Sequence, residues 1–397
     1  MKLSGRVQSI HPSITLAISA RAKQMAAEGI DVVGFGAGEP DFDTPVHIRD
    51  AAKEALDRGM TRYTPAEGML DLRKAIAEKF ERENGLRYEP SRIVVSNGAK
   101  QSLFNAFMAI LDPGDEVLIP SPYWVSYPEL VSLAGGVPVF VPTDESEGFR
   151  IDAGRLAQAV TPRTRAIVIN NPCNPTGAVY SRDNLTQIAR LAADRDLIVV
   201  SDEIYEKLCY TPEPLVSIAA LGSDMIERTI VINGASKAFA MTGWRIGYTA
   251  APLPVAKAMG SLQSHVTSNP NTMAQYAAAR ALRGPQEPVL EMAAEFRRRR
   301  DYIADRIGSI PGLSCVRPDG AFYVMMNIGG AIGRRWQGRL ITGSMDFSEA
   351  LLEAEKVAVV PGCAFGADGH VRLSYASSMS DIERGLNRIS TFMSHLD

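Results

Sequence analysis

Short apolar runs alternate with longer stretches of mixed polarity through the middle of the chain. The runs Ile93–Ser96, Glu116–Ile119, Val137–Val141, Ala166–Asn170, Leu197–Ser201, Thr229–Asn233 and Ile246–Ala250 are rich in Val, Ile and Leu and predict strands. Between them apolar positions recur at helical spacing, as in Ser102–Leu111 and Asp183–Asp194. This alternation predicts an α/β fold, a mainly parallel sheet with helices on both faces. The rhythm changes after a helix expected from about Glu287 to Ile307. Strands follow near Ala321–Met326, Val357–Val360 and His370–Ala376, then a final helix from about Ser380, as in a smaller α+β domain. Gly329–Ser344 is rich in Gly and Arg, lacks a clear period, and reads as an exposed loop.

The 397 residues exceed what one hydrophobic core usually serves, so two packed regions are expected. Hydrophobic residues are 46% and charged residues 22%, an ordinary soluble balance, and a net charge of −3 creates no field favouring nucleic acid or an acidic membrane. The basic run Arg297–Arg300 lies inside the helical pattern and reads as a solvated face paired with Glu291, Glu295 and Asp301. Cys173, Cys209, Cys315 and Cys363 are scattered, and the five histidines form no cluster, so no metal site is expected and a reducing, cytoplasmic compartment fits. No run approaches transmembrane length, and Ile14–Ala20, interrupted by Thr15 and Ser19, does not read as a signal peptide.

Chemistry-bearing residues gather where strands are expected to end. Lys237, in Gly234-Ala235-Ser236-Lys237, follows the run Thr229–Asn233, and Arg245 comes eight residues later. A lysine there suits condensation with an aldehyde, and an arginine fork suits a phosphate; the two together suit pyridoxal phosphate. Ser96-Asn97-Gly98-Ala99-Lys100 opens a helix, where backbone N–H groups attract an anion. Gly98, Ala99 and Lys100 are therefore assigned to the phosphate, although a plain N-cap turn describes the same geometry. In Asn171-Pro172-Cys173-Asn174-Pro175-Thr176-Gly177 the prolines restrict the turn that aims Asn174. In Ser201-Asp202-Glu203-Ile204-Tyr205, an aspartate at a strand end suits a pyridine nitrogen, and a helix N-cap is the alternative.

These stretches resemble the signatures of the class I pyridoxal-phosphate aminotransferases, fold type I, and the resemblance covers nearly the whole chain. It implies a mainly parallel seven-stranded sheet. It also implies a large cofactor domain over 45–288, with 1–44 and 289–397 contributing an N-terminal arm and a small domain. Lys237 would hold the cofactor and then move a proton between the substrate Cα and C4′. Ser236 and Arg245 would bind phosphate. Asn174 and Tyr205 would reach the phenolate oxygen, and Asn174 also a substrate carboxylate. Asp202 would pair with the ring nitrogen, its pKa lowered by the cationic ring. Trp124, in Pro122-Tyr123-Trp124-Val125, would stack on the ring, core packing being the alternative. Arg372, in His370-Val371-Arg372-Leu373, would clamp the α-carboxylate, with a surface strand arginine as the plainer reading. Gly38 would turn its N–H toward that carboxylate; the spacing of Gly34–Pro40 and its proline oppose a dinucleotide loop. Tyr63 would reach the phosphate of a partner subunit, which implies a homodimer with shared active sites.

The subgroup most resembled is the bacterial type Ib aspartate aminotransferases. That implies transfer of the amino group of L-aspartate, or a similar amino acid, to 2-oxoglutarate by ping-pong kinetics. Where this subgroup often places a lysine for the distal carboxylate, the chain is read as carrying His11 and Met108, with Thr15 as a neutral donor. Those departures keep aromatic, prephenate, alanine and methionine aminotransferases open, and more remotely a carbon–sulfur lyase of the same fold.

Overall fold

A computed structural model describes the chain except Ser9 and residues 11–13, with the side chains of Arg6, Ile14, Thr15, Leu16, Ser19 and Lys23 also outside the description. Seven strands form the large sheet: β1 (Ile93–Ser96), β2 (Glu116–Ser121), β3 (Val137–Pro142), β4 (Thr164–Asn170), β5 (Ile198–Asp202), β6 (Thr229–Gly234) and β7 (Gly247–Ala250). Their order is β1-β7-β6-β5-β4-β2-β3. β7 runs antiparallel to both neighbours, and the other pairs are parallel. β1, β6 and β7 are buried along their whole length. This explains why they read as continuous apolar runs rather than alternating ones. Because β2, β4, β5 and β6 are parallel and β7 is reversed against β1 and β6, the carboxyl ends of β1, β2, β4, β5 and β6 lie on one edge, beside the start of β7.

The smaller antiparallel sheet places His370–Ser374 between Val360–Pro361 and Tyr323–Asn327, with Ser314–Cys315 outside. The expected strand Val357–Val360 divides. Val357–Ala358 pairs in parallel with Val33–Gly34, while Val360–Pro361 joins the antiparallel sheet. Phe35 and Val33 share a core with Phe296, Tyr323, Leu373 and Phe392, so the early segment packs among late residues.

Two expectations fail. Gly329–Ser344 is not simply an exposed loop: Ala331 and Ile341 are fully buried, and Arg335–Trp336 pairs with Arg339–Leu340. Gln337 and Gly338 at positive φ make the tight turn that this hairpin needs. The run Arg297–Arg300 is not a wholly solvated face either. Arg298 is exposed and pairs with Glu295, but Arg299 and Arg300 are buried. Arg299 donates to Asp41 at 2.7 Å and Glu295 at 2.9 Å, and its guanidinium lies 5.3 Å from the centre of the Phe42 ring. Arg300 donates to Asp301 and the Pro318 carbonyl and sits over Tyr210. A helix turns successive residues about its axis, so consecutive arginines cannot share one face.

Arg299→Ala is expected to cost about 2 kcal/mol of stability because it removes a buried guanidinium that packs on Phe42 and Phe296 and pairs with Asp41 and Glu295. Arg298→Ala is expected to stay within about 0.5 kcal/mol. Urea unfolding of the two variants checks the contrast, and equal losses would contradict the burial difference.

Candidate active site

Along the carboxyl edge of the large sheet lies a cavity of about 340 Å³. β1 delivers Gly98 to it, and the helix Ala99–Ile110 starts there. Gly98 has φ +84°, and a Cβ at that position would lie 2.3 Å from Arg245 Nη2. Gly247, at the start of β7, is equally constrained, since a Cβ there would meet the Ala99 nitrogen at 2.1 Å. The glycines let the helix N-terminus and Arg245 close on one small space. Arg245 itself takes φ +59°, a left-handed conformation uncommon for a residue with a side chain, and donates to the carbonyls of Thr242 at 2.9 Å and Asn97 at 3.4 Å.

β4 ends in Asn170, whose Oδ1 accepts from the Asn174 N–H at 2.7 Å and whose Nδ2 donates to the Asp202 carbonyl at 3.0 Å. Asn174 Oδ1 in turn accepts from Arg372 Nη1 at 3.0 Å. Arg372 is buried, lies 4.3 Å from the Tyr323 ring centre and 4.9 Å from that of Phe365, and leaves its Nε without a partner. It is therefore no surface strand arginine. β5 ends in Asp202, which burial pushes up to about 6 against the Tyr127 hydroxyl, the Ile204 N–H and the charge of Lys237. The lowered value expected for Asp202 belongs to a site holding a cationic ring; the protein alone shows the opposite direction, because burial dominates.

Past β6, Lys237 Nζ donates to the Gly38 carbonyl at 2.5 Å. Burial pulls its amine down to about 8, with Glu39 opposing and Arg245 and Arg372 adding repulsion. Tyr205 is buried with its hydroxyl 3.1 Å from that of Tyr323. Trp124 meets Tyr127 edge-on at 5.3 Å, and the Lys100 ammonium lies 5.0 Å from the centre of its ring.

Gly38, Ala99, Lys100, Trp124, Asn174, Asp202, Tyr205, Ser236, Lys237, Arg245 and Arg372 all line this one cavity, and Gly98 backs it through Arg245. Tyr63 does not line it and is 90% exposed. Met108 is exposed and also off the lining. His11 lies outside the described residues; Thr15 falls in the helix Ile14–Ala27, but its side chain is outside the description. Sequence reasoning missed Tyr127, Asn170, Thr242 and Tyr323. Tyr127 was within reach, three residues past Trp124 where a helix begins, and so was Asn170, the last residue of its strand.

The chain belongs to the class I and II aminotransferases: that family's model matches residues 30–389. It is 50% identical over 394 residues to the aspartate aminotransferase of Geobacillus stearothermophilus, covering 99% of both chains. It is likewise 50% identical over 391 residues to the aspartate/prephenate aminotransferase of Thermus thermophilus, with 98% of both covered. The solved aspartate aminotransferase of Rhizobium meliloti superposes with a TM-score of 0.97 at 45% identity and full coverage of both chains.

The cofactor of this chain is pyridoxal 5′-phosphate, and the cavity fits it on three counts. The N-terminus of the helix Ala99–Ile110 and the Arg245 guanidinium converge on one end of the cavity, packed so closely that Gly98 has no room for a Cβ, which offers an anion N–H groups and a guanidinium together. Lys237 carries an amine of depressed basicity, suited to an aldehyde. Asp202 is a buried carboxyl on the cavity wall whose carboxylate oxygens accept from Tyr127 and Ile204 but, among the described residues, from no cationic side chain.

Two outcomes follow. Gly98→Ala should weaken cofactor phosphate binding at least about tenfold by displacing Arg245, read by titrating cofactor-free protein; unchanged affinity would show the space is not the phosphate site. In cofactor-free protein Lys237 should react with amine reagents faster as pH rises through about 8, since only the neutral amine attacks. Peptide mass mapping across pH 6 to 10 would reveal a midpoint near 10 instead if Lys237 were an ordinary surface lysine.

Proposed function

We propose that the chain is a cytoplasmic, homodimeric aspartate aminotransferase that passes the amino group of L-aspartate to 2-oxoglutarate. The carrying observation is the charge of the cavity wall, where Lys100, Lys237, Arg245 and Arg372 face Asp202 as the single carboxylate among the described lining residues. Such a wall suits a phosphate together with a dicarboxylate. The names of the relatives, aspartate aminotransferase in two cases, support the same substrate.

When bound, the cofactor supplies an electron sink and carries the amino group between the two half-reactions. Arg245, the Gly98–Lys100 backbone and Ser236 hold its phosphate. Asp202 meets the ring nitrogen, Trp124 covers the ring, and Asn174 and Tyr205 reach the phenolate oxygen. Arg372, aimed by Asn174, takes the substrate α-carboxylate, with the Gly38 N–H beside it. Lys237, low in basicity and held by the Gly38 carbonyl, moves the proton at Cα. Tyr63, exposed in one chain, serves the site of a second copy. In this reading residues 1–44 and 289–397 make up the smaller unit around the large 45–288 domain. No helix among the described residues is long and apolar enough to cross a membrane.

The distal carboxylate needs its own cation. Met108 does not line the cavity, whereas Lys100, in the first turn of the same helix, does, and no carboxylate among the described residues pairs with it. We therefore assign that role to Lys100 through its side chain, with the phosphate taking its backbone N–H, and His11 and Thr15 as further candidates. The Thermus relative, named for aspartate and prephenate, supports a second reading in which prephenate is also accepted.

A single-turnover half-reaction tests the proposal. Holoenzyme mixed with aspartate or glutamate should convert its cofactor to the amine form at least about tenfold faster than with phenylalanine, alanine or methionine; a faster neutral or aromatic substrate removes the aspartate assignment. Lys100→Met should lower kcat/KM for aspartate about 10- to 100-fold and leave phenylalanine within about threefold. An equal fall for both would confine Lys100 to the phosphate.

A further inference from the structure

The geometry points to Tyr127 as a positioning residue that fixes the Asp202 carboxylate and keeps a shared proton on the cofactor's ring nitrogen, an inference that rests on the aminotransferase reading above. Tyr127 stands in the first turn of the helix Ser126–Leu133 and is 2% exposed. Its hydroxyl donates to Asp202 Oδ2 at 2.7 Å. On the other oxygen, the Ile204 N–H donates to Oδ1 at 3.2 Å. The Asp202 carbonyl is held as well, by Asn170 Nδ2 and the Asn171 N–H, each at 3.0 Å. Backbone and side chain of Asp202 are thus tied on three sides, and its remaining lone pairs are left for the cavity.

Tyr127 also meets Trp124 edge-on, so one ring braces both the wall that would cover the cofactor and the group that would meet its nitrogen. Lys237 faces Asp202 across the cavity, and Tyr205 and Cys173 stand near it as buried titratable neighbours. Of these, only Tyr127 donates a side-chain hydrogen bond to the carboxylate. Burial raises the proton affinity of Asp202, and the phenol opposes that rise. An O–H donor stabilises the ionised carboxylate. A proton lying between Asp202 and a pyridine nitrogen therefore stays on the nitrogen while the donor is present. Removing the donor shifts it toward Asp202 and weakens the ring as an electron sink.

The test uses holoenzyme reconstituted with cofactor labelled with ¹⁵N at the ring nitrogen. In Tyr127→Phe, which keeps the ring against Trp124, the ¹⁵N resonance should move toward that of neutral pyridine. In parallel, kcat for aspartate should fall about tenfold, with KM changed less than about twofold. Replacing Tyr127 with 3-fluorotyrosine, a stronger donor of nearly the same shape, should move the resonance the other way; it also decides the matter if the Phe protein does not fold. A resonance that stays put in the folded variants overturns the role of Tyr127, even where kcat falls, because a merely structural loss would slow turnover without moving the ring proton. Wild-type protein that takes the cofactor but transfers no amino group overturns this inference together with the aminotransferase reading. Active wild-type protein with an immobile resonance removes the Tyr127 role alone.

Discussion

Cations crowd one cavity, and their mutual repulsion is the constraint the surrounding structure answers. Lys237, Arg245 and Arg372 all face the same space. Burial and those two guanidinium groups together make the Lys237 amine less basic, with Glu39 and Asp202 restoring part of the loss. An arginine cannot discharge to relieve the strain. Arg372 is instead held between the faces of Tyr323 and Phe365 and given the Asn174 carbonyl oxygen as an acceptor. Arg245 is placed where two carbonyls meet it, at the cost of a left-handed backbone. What results is a site unsatisfied by the protein alone and complementary to phosphate and carboxylate groups.

Polar side chains tie the pieces of this site to one another rather than to solvent. From Arg372 a chain of bonds runs through Asn174 and Asn170 to the backbone of Asp202. The segment before Pro45 is anchored separately. Gly38 accepts from Lys237, Glu39 from Thr242, and Asp41 from Arg299, while Thr44 donates to the Ala240 carbonyl. The four bonds of this early segment each join residues far apart in sequence, so the site exists only once both sheets are packed.

The large sheet was legible because its strands, apart from the exposed edge strand Val137–Pro142, are largely buried and several are separated by amphipathic helices, a pattern in which local order and tertiary position agree. Its seven strands appeared within a residue or two of the expected bounds. The cavity residues on strand ends were legible for the same reason, since Gly98, Asn174, Asp202 and Lys237 each follow an apolar run. Features set by long-range contact were hidden. Nothing local in Val357–Val360 says that half of it pairs with Val33–Gly34 and half with His370–Ser374. The burial of Arg299 depends on Asp41 and Phe42, remote in the chain. Tyr127 reads as a helix residue until Asp202 is found beside it.

The parallel pairing of Val33–Gly34 with Val357–Ala358 has a consequence for biosynthesis. A chain emerging from the ribosome releases the first of these strands long before the second. Phe35, which belongs with the late core, must stay without its final neighbours through most of translation. The large sheet, whose strands lie between these two points, is able to assemble during that interval. Closure of the cavity over Gly38 then waits for Val357–Ala358 to emerge, so the nascent chain acquires a sheet well before it acquires an enzyme.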